Sequence, residues 1–262
     1  MLSPTDLVQA VAADLEKIRE TAPLVLSLTN SVVQPLTANL LLAIGAVPAM
    51  LNDAEEAADM LRSGTGALLV NLGTVTREQG AAMQTAVREA NRLNIPWVLD
   101  PVASGLLPWR DERIARFLAL HPTVVRGNAS EILNLAGQGA GGHGVDSKDD
   151  SRQAIEAAKT VAKRNHCIVA VTGETDFVTD GERTLSISGG DIMTTLVVGT
   201  GCSLSALVAA FCAQSTNFLE ATAAALMMAK QASEIAASQC RGPGSFHPTY
   251  LDALYSIARN HI

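Results

Sequence analysis

The chain alternates between short apolar runs and longer segments in which apolar residues recur at helical spacing. The apolar runs predict buried strands at residues 24–28, 48–51, 67–72, 96–100, 123–126 and 168–171. Segments between them, such as 54–62 and 77–93, predict amphipathic helices. Continuous apolar strands that alternate with helices are typical of a parallel sheet whose two faces are both covered. We therefore expect an α/β fold with three layers, in which a mostly parallel central sheet lies between two layers of helices.

Other local signals predict how the chain departs from this repeating pattern. Asp180-Gly181 is a turn signal within residues 177–188, which predict a hairpin that adds an antiparallel edge to the sheet. The C-terminal third predicts helices at 204–212, 221–237 and 250–262, with a loop at 241–248. The glycine-rich segment 137–147 predicts a further loop, in which His143 is expected to face solvent rather than to bind a ligand.

Composition and charge exclude several classes of protein. The net charge of -7, without a run of Lys or Arg, argues against nucleic-acid binding. The apolar stretches are too short to span a bilayer and the first residues do not resemble a signal peptide, so we expect no membrane association and a cytoplasmic location. The 4 cysteines show no CxxC spacing, and Cys167, in a predicted strand, and Cys212, in a predicted helix, are expected to be reduced core residues. With 262 residues and a hydrophobic fraction of 48%, the chain is expected to form one domain over residues 1–262.

A glycine-rich turn, Gly199-Thr200-Gly201-Cys202, directly precedes an apolar run with helical spacing. The first N–H groups of a helix have no partner within the helix and lie at the positive end of its dipole, so this turn is an expected anion site. We expect Cys202 at or beside the N-cap, where the pKa of a thiol falls. An anion site beside a reactive side chain suggests phosphoryl transfer to a nearby acceptor. The alternative is a tight turn that enters a buried helix, with Cys202 as a small core residue.

Polar residues gather where the predicted strands end. They are Asn30, Asp100, Arg126, Asn128, Glu131, Thr172 and Glu174, and Gly73 lies at a further strand end. Because the carboxyl ends of parallel strands share one edge of a sheet, we expect these residues to converge. Asp100 and Glu131 are candidates for holding the Mg²⁺ of a nucleoside triphosphate, and Arg126 for binding its phosphates. Structural alternatives stay open for both acids: Asp100 as a turn residue before Pro101, and Glu131 as an acid in the first turn of a helix.

The segments that carry these residues also carry a family resemblance. They are Asn30-Ser-Val-Val, Asp100-Pro-Val-Ala, Arg126-Gly-Asn-Ala-Ser-Glu-Ile, Thr172-Gly-Glu-Thr-Asp and Gly199-Thr-Gly-Cys-Ser-Leu-Ser-Ala. In this order, over essentially the whole chain, they resemble the hydroxyethylthiazole kinase family of the ribokinase-like superfamily. Cys202 makes the resemblance specific to this family, since its members carry Cys where related small-molecule kinases usually carry Asp.

The resemblance implies a fold, a reaction and an assembly. The fold is ribokinase-like, and the reaction is ATP- and Mg²⁺-dependent phosphorylation of the primary hydroxyl of 4-methyl-5-(2-hydroxyethyl)thiazole. This reaction belongs to thiamine biosynthesis and salvage. The implied assembly is a homotrimer with the thiazole pocket at a subunit interface.

The resemblance also implies roles for individual residues. It assigns the thiazole pocket to Asn30, Val32, Met50 and Gly199. It assigns nucleotide binding to Arg126 and Thr172, to which we add Asn128, and Mg²⁺ to Asp100 and Glu131. The catalytic turn comprises Gly199, Thr200, Gly201 and Cys202. We expect the turn amides to stabilise the transferring phosphoryl group, and Cys202 to assist and orient rather than to act as a strong base.

Alternative functions remain open at this point. One is a kinase for another small alcohol, and another is the ATP-dependent dehydratase of hydrated nicotinamide cofactor, whose phosphate turn normally ends in Asp rather than Cys. A third is a thiol hydrolase with Cys202 as nucleophile, which needs a histidine base nearby. The plausible histidines are His121, His166 and His247, and none of them ends a predicted strand. A non-catalytic binding protein would not explain Arg126 and the anion turn together.

Overall fold

The computed structural model describes residues 4–138 and 148–260, and strands and helices alternate from α1 to α6. The strands are β1 Leu24–Leu28, β2 Val47–Met50, β3 Ala67–Asn71, β4 Trp97–Asp100, β5 Val124–Asn128, β6 Ile168–Thr172, β7 Asp176–Thr179 and β8 Thr184–Ile187. The helices are α1 Pro4–Thr21, α2 Gln34–Ile44, α3 Ala54–Arg62, α4 Arg77–Leu93, α5 Pro108–Leu118, α6 Ala129–Leu135, α7 Lys148–Asn165, α8 Thr200–Cys212, α9 Phe218–Gln239 and α10 Pro243–Asn260. A 3₁₀ turn at Ile192–Leu196 precedes α8.

The strands form one sheet in the order β2-β1-β3-β4-β5-β6-β7-β8. Strands β1 to β6 pair in parallel, and β7 and β8 add the antiparallel edge that the Asp180-Gly181 turn predicts. The parallel register aligns strand ends that carry polar residues, because Asn71 pairs with Asp100 and Asn128 with Thr172. The predicted convergence at the carboxyl edge therefore follows from the register of the sheet.

Two helical layers cover the two faces of this sheet. Alternate residues of each strand point to opposite faces, so Leu69 and Val98 pack in one apolar core while Leu68 and Leu99 pack in the other. Helices α1, α2, α8, α9 and α10 contribute to the first core, and α3 to α7 to the second. The predicted three-layer α/β fold is confirmed.

Side-chain caps fix several helix starts at the carboxyl edge. Asp53 accepts hydrogen bonds from the amides of Glu55 and Glu56 at the start of α3. Thr76 forms a reciprocal capping box with Gln79 at the start of α4. These caps fix the direction in which each chain segment leaves its strand, and so hold the loops that border the site.

Two loops predicted from the sequence are not confirmed by the structure. The loop predicted at 241–248 is wrong, because α10 already begins at Pro243. Proline fits a first helical position, and the Phe246 ring is fully buried and stacks on Tyr250 with ring centroids 5.7 Å apart. The loop predicted at 137–147, with His143, lies outside the described residues apart from positions 137 and 138. Among the described helices, none is both long enough and apolar enough to cross a membrane.

Candidate active site at the carboxyl edge of the sheet

The glycine turn forms the start of α8, with Gly199 as its N-cap. Gly199 has a φ of 95°, and a Cβ at this position would lie 2.7 Å from Cγ1 of Val33. Thr200 donates its hydroxyl proton to the carbonyl oxygen of Thr194 at 2.7 Å, which ties the turn to the preceding 3₁₀ turn. Gly199 provides no side-chain cap for the first amides of α8, and anion binding at this turn stays a prediction.

Arg126 connects this turn to the sheet. Its Nη1 donates to the carbonyl oxygen of Gly201 at 3.0 Å, and its Nη2 donates to Oγ1 of Thr172 at 2.5 Å. The guanidinium also lies 3.9 Å from the Asp100 carboxylate. A Cβ on Gly201 would come within 3.3 Å of Arg126 Nη1, so glycine at this position leaves room for the guanidinium. The structure thus brings Arg126, Thr172 and the turn together, as the sequence predicts.

A chain of hydrogen bonds links Asn30 to Asp100 through a residue that the sequence analysis missed. Asn71 accepts a hydrogen bond from Nδ2 of Asn30 at 3.0 Å and donates one to Oδ2 of Asp100 at 2.8 Å. Ser205, also missed, donates from α8 to the same Asp100 oxygen at 2.8 Å. Asn71 is fully buried, and a Cβ on Gly73 would lie 2.9 Å from Asn30 Nδ2, so the amides are tightly packed. The sequence signal for Asn71 is a polar residue that ends an apolar strand, as Asp100 does on β4.

Asp100 is almost completely buried, and its environment changes its acidity. Burial, with a smaller contribution from Glu131, raises the pKa of the Asp100 carboxyl to about 7. The Arg126 guanidinium and the hydrogen bonds from Ser205 and Asn71 oppose this rise in the pKa. In the described part of the chain, the hydrogen bonds to this carboxylate reach Oδ2. A positive charge placed near Oδ1 would therefore stabilise the ionised form.

Cys202 lies in the first turn of α8, but its thiol does not have the lowered pKa expected from that position. Burial raises the pKa of the Cys202 thiol to about 11, and the Asp100 carboxylate adds to the rise, while hydrogen bonding with Asn71 and Asn30 opposes it. The expected lowering is wrong because desolvation and the neighbouring Asp100 carboxylate both disfavour the thiolate. Cys202 is thus a neutral thiol at physiological pH, close to Asp100 and to the side chains of Asn71 and Asn30.

Glu131 and Asn128 have a structural function at the start of α6. Each caps the other: Asn128 Oδ1 accepts from the Glu131 amide at 2.9 Å, and Glu131 Oε2 accepts from the Asn128 amide at 2.8 Å. Oε1 of Glu131 accepts from the amide of Ala103 at 2.9 Å. Glu131 is therefore an acid in the first turn of a helix, as the structural alternative proposed. A metal contact of Glu131 would have to use carboxylate lone pairs that these hydrogen bonds leave available. No cluster of three or more His, Cys, Asp or Glu residues able to hold a metal occurs within residues 4–138 and 148–260.

Val32 and Met50, the two remaining predicted substrate residues, lie after β1 and at the end of β2, and their role in substrate binding stays a prediction. Val32 is 60% exposed, and its amide donates to Oδ1 of Asn30 at 3.1 Å. Met50 ends β2 and pairs in register with Ser27 of β1. Val198, next to the turn, is 74% exposed. Exposed apolar side chains thus border the site at Val32 and Val198.

A cavity of about 380 Å³ lies elsewhere, between α5, α6 and α7. Its polar lining residues already support the protein's own backbone and loops: Asp111 accepts from the Gly105 amide, Asn134 donates to Ser104, and Arg164 donates to the Leu135 carbonyl. None of the residues of the glycine turn or the amide network lines it. The cavity is therefore separate from the candidate active site.

The sheet order and the two helical layers, with the glycine turn at the start of α8, define a ribokinase-like fold. A solved structure of Staphylococcus aureus pyridoxal kinase in complex with AMP-PCP shares this fold, with a TM-score of 0.63 at 18% identity, covering 82% of this chain and 89% of that one.

The chain belongs to the hydroxyethylthiazole kinase family, whose model matches residues 15–260. A hydroxyethylthiazole kinase of Akkermansia muciniphila is 60% identical over 258 residues, which are 98% of this chain and 95% of that protein. The solved structure of a hydroxyethylthiazole kinase from Pyrococcus horikoshii is 37% identical, with a TM-score of 0.89, and the match covers 97% of this chain and 96% of that chain. The resemblance found in the sequence is confirmed.

Proposed function

We propose that this protein is a phosphotransferase that uses ATP to phosphorylate the primary hydroxyl of 4-methyl-5-(2-hydroxyethyl)thiazole in thiamine biosynthesis and salvage. The observation that carries the proposal is the junction of Arg126 with the glycine turn at the start of α8. Family membership supports the choice of the thiazole as substrate, since the relatives at 60% and 51% identity bear the name of that kinase.

Phosphoryl transfer has a loose transition state, so positioning and charge stabilisation do most of the catalytic work. The amides of Thr200, Gly201 and Cys202 provide aligned donors for the oxygens of the transferring group. Arg126 adds a positive charge that Gly201 and Thr172 hold in place. We assign the nucleotide phosphates to this side of the turn, with Asn128 at its border.

We place the thiazole on the opposite side, among Asn30, Val32, Met50 and Gly199. Asn30 provides a fixed polar group, because both atoms of its amide are engaged by Asn71 and the Val32 amide. Val32 and Met50 offer apolar surface for a small heterocycle. Cys202, as a neutral thiol between Asn30 and Asp100, orients the hydroxyl rather than removing its proton before transfer.

Magnesium fits the donor set of this site. Asp100 is a buried carboxyl whose charge is disfavoured by burial, and Glu131 lies near enough to raise its pKa. Asp100 would hold the ion, and Glu131 would reach it with the capacity left by its backbone bonds, directly or through water. A bound Mg²⁺ supplies neutralisation of the negative charge on the nucleotide phosphates.

The assembly and location extend the proposal. We propose a homotrimer in which a neighbouring subunit covers the thiazole pocket, since Val32, Leu196 and Val198 are exposed apolar side chains beside the turn. We also propose a cytoplasmic location, where ATP is available and where the free Cys167, Cys202, Cys212 and Cys240 would stay reduced.

The test is ADP release from ATP and Mg²⁺, with and without the hydroxyethylthiazole. Sugars and hydroxymethylpyrimidine serve as alternative acceptors, and Arg126→Met as a variant that lacks the phosphate-side charge. Thiazole-dependent ADP release that Arg126→Met abolishes is the expected result. Turnover with another alcohol but not with the thiazole would refute the substrate, and no turnover with any acceptor would refute the reaction class.

A further inference from the structure

Lys230 of α9 lies in an environment that resembles a binding site for a cation. Its Nζ donates to the carbonyl oxygens of Glu174 and Gly189 at 2.9 Å each and of Gly173 at 3.2 Å. We call these three oxygens the carbonyl cage. The Asp176 carboxylate lies 3.4 Å from the same nitrogen, and the Lys230 side chain is only 11% exposed. Three carbonyls and one carboxylate around a single positive charge are the ligands expected of a monovalent cation site.

The carbonyl cage joins two separate segments of the chain. Gly173 and Glu174 directly follow Thr172, whose hydroxyl holds Arg126. Gly189 belongs to the segment that leads into the 3₁₀ turn, and that turn is tied to the α8 glycine turn through the Thr200 hydroxyl. Lys230 thus connects the two segments that border the nucleotide side of the site.

The second segment is shaped to approach α9 closely. Gly189 and Gly190 both have positive φ angles, and a Cβ on Gly190 would lie 3.1 Å from Cγ of Lys230. The Gly190 amide donates to Glu234 at 2.8 Å, and the Asp191 amide donates to Ser233 at 3.1 Å. Because neighbouring α9 residues hold this segment independently, removal of the Lys230 charge should loosen the cage without unfolding the helix.

We propose that Lys230 is a positioning residue for nucleotide binding, whose ammonium group fills the cation site formed by the carbonyl cage and Asp176. Without this charge, the carbonyl dipoles repel one another and the loop after β6 separates from the segment at Gly189. Thr172 and Arg126 then lose their fixed position beside the glycine turn. The thiazole side is built on Asn30, whose amide is held by Asn71 and the Val32 amide rather than by the cage. This inference rests on the proposed function only in assigning the nucleotide to the Arg126 side.

The test compares Lys230→Met with Lys159→Met, a matched control whose lysine forms a helix-surface ion pair with Glu156 at 2.8 Å. ATP affinity is measured by calorimetry, and the KM values for ATP and thiazole by ADP release. We expect ATP affinity to fall about tenfold in Lys230→Met, within the range of single-residue coupling effects. The KM for thiazole should stay within about twofold, and Lys159→Met should match the natural protein.

Chemical rescue separates a cation site from simple structural support. Lys230→Ala leaves the cage open, so ammonium chloride should restore at least about a third of the lost ATP affinity, whereas tetramethylammonium chloride at equal ionic strength should not. If Lys230→Met is insoluble, Lys230→Gln, which keeps a donor without the charge, is measured by the same criteria.

Three results would overturn the proposal: unchanged ATP affinity in the neutral variants, equal losses for ATP and thiazole, or no recovery with ammonium. Calorimetry with ATP needs no acceptor. If the natural protein did not phosphorylate the thiazole, the proposed function would be refuted, but the ATP affinities of the Lys230 variants would still test this inference.

Discussion

Gly199→Ala is the substitution for which the structure gives the sharpest expectation. The residue has a φ of 95°, and a Cβ there would lie 2.7 Å from Val33 Cγ1, 3.2 Å from Val33 Cβ and 3.3 Å from Leu36 Cδ2. Gly64→Ala is the matched control, since Gly64 has a φ of 105° but a Cβ added there would meet nothing within 4 Å. Both variants carry the backbone strain, and only Gly199→Ala carries the steric conflict.

The expected losses follow from these two contributions. A positive φ costs an alanine about 1–2 kcal/mol, and forcing an extra methyl group into a packed site costs about 1–3 kcal/mol. Gly64→Ala should therefore lose about 1–2 kcal/mol of unfolding free energy, and Gly199→Ala about 2–5 kcal/mol. For a protein of this size the additional loss corresponds to roughly 2–12 °C in Tm.

Activity should separate the two variants more strongly than stability. Moving Gly199 shifts the amides at the start of α8, so kcat should fall at least about tenfold in Gly199→Ala, because small misplacements of catalytic groups are costly. Gly64 lies between α3 and β3, away from the carboxyl edge, and its variant should keep full activity.

The assay is urea unfolding combined with ADP release for both variants and for Gly199→Ala with Val33→Ala. Removing Cγ1 of Val33 should relieve the closest contact, so the two substitutions should couple favourably by about 1 kcal/mol in a double-mutant cycle. Equal stability losses in Gly199→Ala and Gly64→Ala, or no coupling to Val33, would refute the steric reasoning.

The remaining predictions concern the network around the turn. Asn71→Leu should lower the free energy of unfolding by about 2–4 kcal/mol, because it removes one hydrogen bond to the buried Asp100 carboxylate and the acceptor of the buried Asn30 amide. Urea unfolding measures this loss, and a value below about 1 kcal/mol would contradict the reasoning. Arg126→Lys should raise the KM for ATP by about tenfold or more, because a single ammonium cannot contact both Gly201 and Thr172; an unchanged KM in steady-state assays would show that charge alone suffices. Burial raises the pKa of the Cys202 thiol to about 11, so the thiol is protonated across neutral pH. Its alkylation by iodoacetamide, measured by mass spectrometry of the Cys202 peptide, should therefore accelerate as the pH rises beyond 9. An alkylation rate that levels off near pH 7 would instead indicate a thiolate.

The sequence predicts the sheet well because its signals are local and repeated. Each parallel strand contains a short apolar run, and the Asp180-Gly181 turn marks the antiparallel edge without long-range information. The loop predicted at 241–248 fails for the opposite reason. Whether its glycines and prolines form a loop or a helix start depends on the burial of Phe246, which tertiary packing decides.

The candidate site could be located from the sequence, but its hydrogen-bond network could not. Asp100 and Arg126 converge because parallel strands end at one edge, a rule that needs no side-chain coordinates. The bond from Asn71 to Asp100 requires the register between β3 and β4, and the bond from Ser205 requires the rotation of α8 over the sheet. Lys230 is harder still, since its contacts lie 41 to 57 residues away along the chain.

The raised pKa of Cys202, which reverses the sequence-based expectation, is consistent with the proposed chemistry. A nucleoside triphosphate brings several negative charges to the glycine turn, where the helix terminus and Arg126 provide the positive field. A thiolate at Cys202 would place another negative charge beside the transferring group, where Coulomb repulsion in a partly buried site is strong. A neutral thiol beside the Asn71 and Asn30 amides avoids that repulsion while it still defines the position of a hydroxyl. The burial of the thiol and its contact with Asn30 and Asn71 therefore favour an orienting function for Cys202 over that of a base.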